Sequence, residues 1–178
     1  MLTSSSRSIV ANFFTTSYRI IGKVDVGGSG LLGLLTDPST SLIQLTDAST
    51  ARLHEPKRLA DRYTSLQVVK RGLVVIALSQ KEEVGPETAI HTGSGYTRIH
   101  KFPMHLINSL FEMQGTLEWA GRFELAAMLT AGAGDFFPLY DATLKAIQHP
   151  ELELASPAII FNRRKLDLIS HLSEKSDS

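Results

Sequence analysis

A set of matched residues recurs about halfway along this chain and divides it into two copies of one pattern. Gly22 and Gly115 lie 93 positions apart, whereas Leu35-Thr36 and Leu129-Thr130, Leu45 and Leu139, Asp47-Ala48 and Asp141-Ala142, and Pro56 and Pro150 lie 94 apart. Arg71 and Arg164, Leu73 and Leu166, and Ile76 and Ile169 return to a spacing of 93. Matches in constant order over most of each half identify a duplication, with one residue gained within the second copy. The period exceeds the ~20–50 residues of solenoid repeats, so it predicts two whole domains.

The repeat divides the chain into a disordered Ser-rich lead-in (1–6), a first unit (7–81), a linker (82–98), a second unit (99–172) and a flexible tail (173–178). Units of this size have small cores with little stability to spare, which favours packing of the halves on each other or into a homo-oligomer. Lys+Arg and Asp+Glu are equal at 18 each, so no global field draws in polyanions, and any nucleic-acid site must be local. The absence of cysteine excludes disulfides, thiolate catalysis and Cys-ligated metals. The first ten residues do not read as a signal peptide, and no apolar run reaches the ~18 residues of a membrane helix. A cytoplasmic location without membrane association is the resulting expectation.

Within each copy the pattern is mainly β. Ser8–Phe14 reads as an edge strand or strand-like lead. Tyr18, Ile20, Gly22, Val24 and Val26 alternate with more polar residues, the mark of a half-buried strand, and Gly22 and Gly115 signal bending or a close backbone approach. The run Gly27-Gly28-Ser29-Gly30 lacks the Lys-Ser/Thr ending of a phosphate loop and reads as a turn into a short helix, as does the stretch from Ala120 to Leu129 in the second copy. Gly132-Ala133-Gly134 then ends that helix. Leu42–Leu45 and Phe136–Leu139 predict strands closing on turns at Asp47 and Asp141, with Pro138 implying a bulge or an edge. Further strands pass through Thr50 and Arg52, and through Thr143 and Lys145. Residues 57–63 and 151–156 read as connections. Leu66–Leu78 and Ala158–Ile169 read as hairpins folded about the basic knuckles Lys70-Arg71-Gly72 and Asn162-Arg163-Arg164-Lys165.

The aspartate turn Leu45-Thr46-Asp47-Ala48, followed by Val69-Lys70-Arg71-Gly72-Leu73-Val74-Val75-Ile76, resembles the two-part signature of Sm-like small β-barrels and of uncharacterised bacterial proteins built on them. The resemblance implies two tandem Sm-like barrels related by pseudo-twofold symmetry, each with a short helix inserted after its first long strand. In RNA-binding members a polar residue lies three positions before the leucine of the aspartate motif; here Leu42 and Phe136 stand there. Lys165 replaces the glycine expected after Arg164. The resemblance thus implies a retained barrel whose RNA site is lost.

Asp47 and Asp141 are favoured turn residues, and their first reading is structural; a general acid/base pair would require the two units to face each other. Lys70, Arg71, Asn162, Arg163, Arg164 and Lys165 are the candidates for anion or nucleic-acid binding, with Arg52, His54, Lys57 and Arg58 as neighbours that would extend the patch. The bland alternative is a pair of solvated tips with local salt bridges. The six histidines (54, 91, 100, 105, 149 and 171) show no metal-ligand spacing, and Trp119, Phe111, Phe123, Phe136 and Phe137 read as core. No catalytic set, metal site or cofactor motif emerges. The expectation is a non-enzymatic adaptor or assembly module binding protein partners or itself through barrel edges, with nucleic-acid or nucleotide binding by the knuckles as the alternative.

Overall fold

The computed structural model describes residues 6–86, 98–130 and 134–172. Most of the predicted lead-in, most of the predicted linker, the tail and part of the Gly132-Ala133-Gly134 helix stop lie outside the described residues. Ten strands form one antiparallel sheet: β1 (Arg7–Phe14), β2 (Tyr18–Val26), β3 (Leu42–Arg52), β4 (Leu59–Val69), β5 (Val75–Leu78), β6 (Ile99–Asn108), β7 (Phe111–Ala120), β8 (Phe136–Ala146), β9 (Glu153–Asn162) and β10 (Leu166–His171). Helices α1 (Gly30–Thr36) and α2 (Leu125–Thr130) follow the second strand of each half. The spatial order is β10-β6-β7-β8-β9-β5-β1-β2-β3-β4. Both halves therefore repeat the order fifth, first, second, third, fourth.

This arrangement corrects the expectation of two closed barrels, because the sheet is open and ends on β4 and β10. It also corrects the pseudo-twofold. A twofold contact joins like to like, whereas here β5, the fifth strand of the first half, pairs with β9, the fourth strand of the second. The halves are joined head to tail.

The central pair shows why the sequence permits the joint. Val75 opposes Phe161, Ile76 opposes Ile160, Ala77 opposes Ile159 and Leu78 opposes Ala158. Val75, Ala77, Ile159 and Phe161 belong to one hydrophobic core, and Ile76, Leu78, Ala158 and Ile160 to the other. Successive side chains of a strand point to opposite faces, so the joint lies between two cores on opposite sides of the sheet. A strand buried on both faces reads as an unbroken apolar run, which is how these segments are written. Each core also borrows across the joint. Phe136 from β8 enters the first core, and Phe14 and Val74 enter the second.

The strands predicted on either side of Asp47 are one continuous β3, and those around Asp141 are one β8. What reads as a turn is a β-bulge. Ile21 pairs with Ser49 and Lys23 with Thr46, so Asp47 and Ala48 together oppose Gly22; Gln114 pairs with Thr143 and Thr116 with Tyr140, placing Asp141 and Ala142 opposite Gly115. Asp47 and Asp141 have φ of 48° and 47°, and they are the two non-glycine residues with positive φ among those described. Aspartate tolerates this region better than most residues, and a bulge of this kind bends the strand and increases its twist.

Three further expectations change. β1 is central, between β5 and β2, rather than an edge. Residues 59–63 and 153–156 belong to β4 and β9, not to connections. The knuckles do not turn hairpins: β4 pairs with β3 and β5 with β1 and β9, with one 3-10 turn at Lys70–Gly72 leading from β4 towards β5; Arg163–Lys165 likewise links β9 to β10. Pro138 meets its expectation: β8 is bulged at Asp141, and the stretch holding Pro138 extends past the pairing with β7 as a local edge bonded to β9 alone, so its missing N–H leaves no gap in a ladder.

Candidate interaction site

Both basic knuckles open on one groove of about 1100 Å³, which Asp135 also lines. The head-to-tail joint produces this convergence. β9 ends beside the start of β5, and the Asn162 amide donates to the Val74 carbonyl at 3.0 Å, so the turn after β9 lies beside the turn after β4.

The cations of the groove are not equivalent. Lys70 is buried, and its Nζ donates to the Asp37 carbonyl at 2.9 Å. Burial pushes its pKa down, with the charge of Asp37 opposing. Arg163 is enclosed too. Its Nη1 donates to the Met128 carbonyl at 3.1 Å, its Nη2 lies 3.7 Å from Asp135, and its buried Nε has no hydrogen-bond partner. Arg164 projects outward while its Nε donates to the same Asp135 carboxylate at 2.6 Å. Arg71 is exposed and Lys165 half-buried. Of five cationic side chains, Lys70 and Arg163 are thus committed to internal contacts.

Asn162 is buried and structural. Its Nδ2 donates to the Leu73 carbonyl at 2.9 Å, and its Oδ1 accepts from the Arg164 amide at 3.0 Å. Arg52, His54, Lys57 and Arg58 do not extend the groove. Leu42, at one end of β3, lines it, whereas Arg52 ends the strand roughly 30 Å further along at about 3.3 Å per residue. His54 instead shares a separate cleft of about 270 Å³ with His149. Among the described residues no group of three His, Asp or Glu side chains is placed to hold a metal, and no helix is long and apolar enough to cross a membrane.

The repeated aspartates each have their own lysine. Lys23 Nζ donates to Asp47 at 2.8 Å within the first half, whereas Lys81 Nζ reaches across the joint to Asp141 at 2.9 Å. Thr116 stands where the first copy has Lys23, so the second bulge takes its cation from the first half. Lys81 Nζ also lies 5.7 Å from the centre of the Tyr140 ring. The aromatic residues follow their core reading: Phe111 meets Phe14 edge-on at 5.3 Å, Trp119 and Phe137 stack at 6.5 Å, and Phe123 packs at the rim.

Among the described residues β4 and β10 have no strand on their outer sides. The residues at β10 equivalent to the β5 joint are Leu168, Ile169, Ser170 and His171; those at β4 equivalent to the β9 joint are Ser65, Leu66, Gln67 and Val68. Leu168 is 62% exposed, while its counterpart Val75 is buried. Nothing in the spacing marks the joint itself. The signal was the unalternating run from Leu73 to Leu78, matched by Ala158–Phe161, which implies burial on both faces.

The chain matches no family model, and comparisons with curated proteins and with solved structures give no significant match.

Proposed function

We propose that this chain is a non-enzymatic assembly module that binds protein partners or itself through the two ends of its sheet. The observation that carries this reading is the β5–β9 joint, which occurs once within the chain while the corresponding surfaces, β10 and β4, remain open. An edge strand offers unpaired backbone donors and acceptors to an incoming strand, and here the two edges are the complementary halves of a contact that the chain already makes. The strand order, the bent third strand and the glycine opposite its bulge support reading each half as an open, Sm-like five-stranded unit. The two edges differ, so such a contact is heterologous and either closes as a ring or extends as a filament. Ser65, Gln67, Ser170 and His171 replace apolar residues of the internal joint, which favours a wetter and more readily reversed contact.

Light scattering across a protein dilution series tests the reading. The expected mass exceeds one chain of 19.5 kDa and rises with concentration, and L168D lowers it. A strict monomer that also captures no protein overturns the proposal.

The shared groove favours a second reading, nucleic-acid or nucleotide binding through Arg71, Arg164 and Lys165 around its rim. The double variant R71A/R164A is then expected to weaken binding of a single-stranded oligonucleotide and to flatten its salt dependence. Unchanged affinity removes the groove as a site.

A further inference from the structure

We infer that α2 is a docking helix for a second copy of this chain, seated at the start of that copy's β3 beside Leu42. The inference rests on the edge-pairing reading above and names its partner and a second contact.

The two helices occupy the same place in the repeat, and Leu31 and Leu35 of α1 correspond to Leu125 and Leu129 of α2. Their surroundings differ. Leu31 and Leu35 are 0% and 4% exposed, whereas Leu125 and Leu129 are 38% and 41% exposed. The cause is the joint. α1 packs on β8 of the second half and against the turn at Lys81–Glu83, and its two leucines share a core with Phe136 and Val84. α2 belongs to the second half, and among the described residues no further half packs on it as the second half packs on α1. Among its described residues it buries only Met128, and it presents Leu125, Ala126, Ala127 and Leu129 outward without a charge among them.

The receiving surface is open in the same sense. Phe136, at the start of β8, is 6% exposed; its counterpart at the start of β3, Leu42, is 43% exposed. In the internal joint, one half supplies its fifth strand and its helix together, and the other receives them on its fourth and third strands. At the two ends of the sheet the same pairs are β10 with α2 and β4 with β3. One neighbouring copy therefore meets both contacts at once: Leu168 beside Val68 along the strands, and Leu125 and Leu129 against Leu42 from the helix. Covering such apolar side chains is the main favourable term in association, which explains why the helix, and not only the strand edge, carries the contact.

The chain has no cysteine, so the contact can be read by thiol cross-linking. L129C and L42C are made as separate full-length variants, mixed, and treated with a short bismaleimide. The expected product is a covalent dimer in the mixture and in neither variant alone, and L125E/L129E is expected to weaken self-association by at least about tenfold with unchanged circular dichroism. Wild-type assembly with no mixed cross-link and no effect of L125E/L129E overturns helix docking while leaving edge pairing in place. A wild-type chain that stays monomeric overturns both. A bridge within one chain between L129C and S176C, formed in preference to the mixed dimer, assigns the helix face to the chain's own C-terminal segment and also overturns the inference.

Discussion

Asn162 and Leu73 are joined across the two halves by a 2.9 Å hydrogen bond from the buried side-chain amide to the backbone carbonyl. The same asparagine accepts from the Arg164 amide, so one side chain fixes the end of β9, the start of the basic turn and the approach to β5. Val69 stands at the equivalent position of the first half, on the open edge, and is exposed. The pair is specific to the internal joint.

Removing the Asn162 side chain leaves the buried Leu73 carbonyl and the partly buried Arg164 amide without these partners. N162A is expected to cost about 2–3 kcal/mol in denaturant unfolding, the penalty for buried groups left unsatisfied. N162D, which keeps the acceptor but turns a carboxylate oxygen toward a carbonyl, is expected to cost more. An N162D variant as stable as wild type would refute the donor role given to Nδ2.

The bulge glycines are expected to differ in their tolerance of a methyl group. At Gly115 an added Cβ would meet Leu139 Cγ and the Tyr140 carbonyl oxygen at 2.8 Å, the latter part of the backbone. At Gly22 it would meet Ala48 Cβ at 3.2 Å and Leu45 Cβ at 3.3 Å. G115A is expected to lose about 1–3 kcal/mol by overpacking, and G22A less. Unfolding midpoints of the two variants check the order.

At Asp47 and Asp141 the backbone conformation and the charge can be separated. D47G and D47A both remove the ion pair with Lys23, but only glycine takes positive φ without a steric penalty. D47G is therefore expected to be more stable than D47A, by about 1 kcal/mol, and D141G is expected to exceed D141A similarly. Equal stabilities would mean that the positive φ imposes no cost at these sites.

The pH response follows from the carboxylates. A hydrogen bond and the charge of Lys23 hold Asp47 below its ordinary pKa of 3.8, and contacts from Ser39 do the same for Asp37. A depressed folded-state pKa stabilises the fold above the unfolded value, and that contribution is lost as pH falls through the folded one. Denaturant midpoints are expected to decline below about pH 4, with D47N removing part of the decline. Both carboxylates are solvent-facing, so added salt is expected to shrink the difference at Asp47.

Much of the architecture was legible in the repeat itself, since β2 and both helices fall where the period and the breaker residues put them. The limits have physical origins. A positive-φ aspartate serves a turn and a bulge equally well, so one long β3 read as two strands. The first residues of β4 are exposed on an open edge, where burial imposes no alternation, and they read as a loop. Tight turns do occupy Lys70–Gly72 and Arg163–Lys165, but pairing between distant segments decides that they link strands of different position rather than turn hairpins. The convergence of both knuckles on one groove followed from the joint, and local sequence carries no trace of a contact between residues about 90 positions apart. The same holds for the burial of Lys70 and Arg163, which the presence of basic residues alone would assign to solvent.

The exchange of side chains across the joint makes the duplication hard to reverse. Phe136 and Ile160 fill the core of the half that precedes them, Phe14 and Val74 fill the core of the half that follows, and Lys81 supplies the counter-charge of Asp141. A gene truncated to either copy would encode a unit that lacks part of its interior. Each half has come to inherit its stability from the other, and a substitution in one is answerable to selection on a partner residue far along the chain.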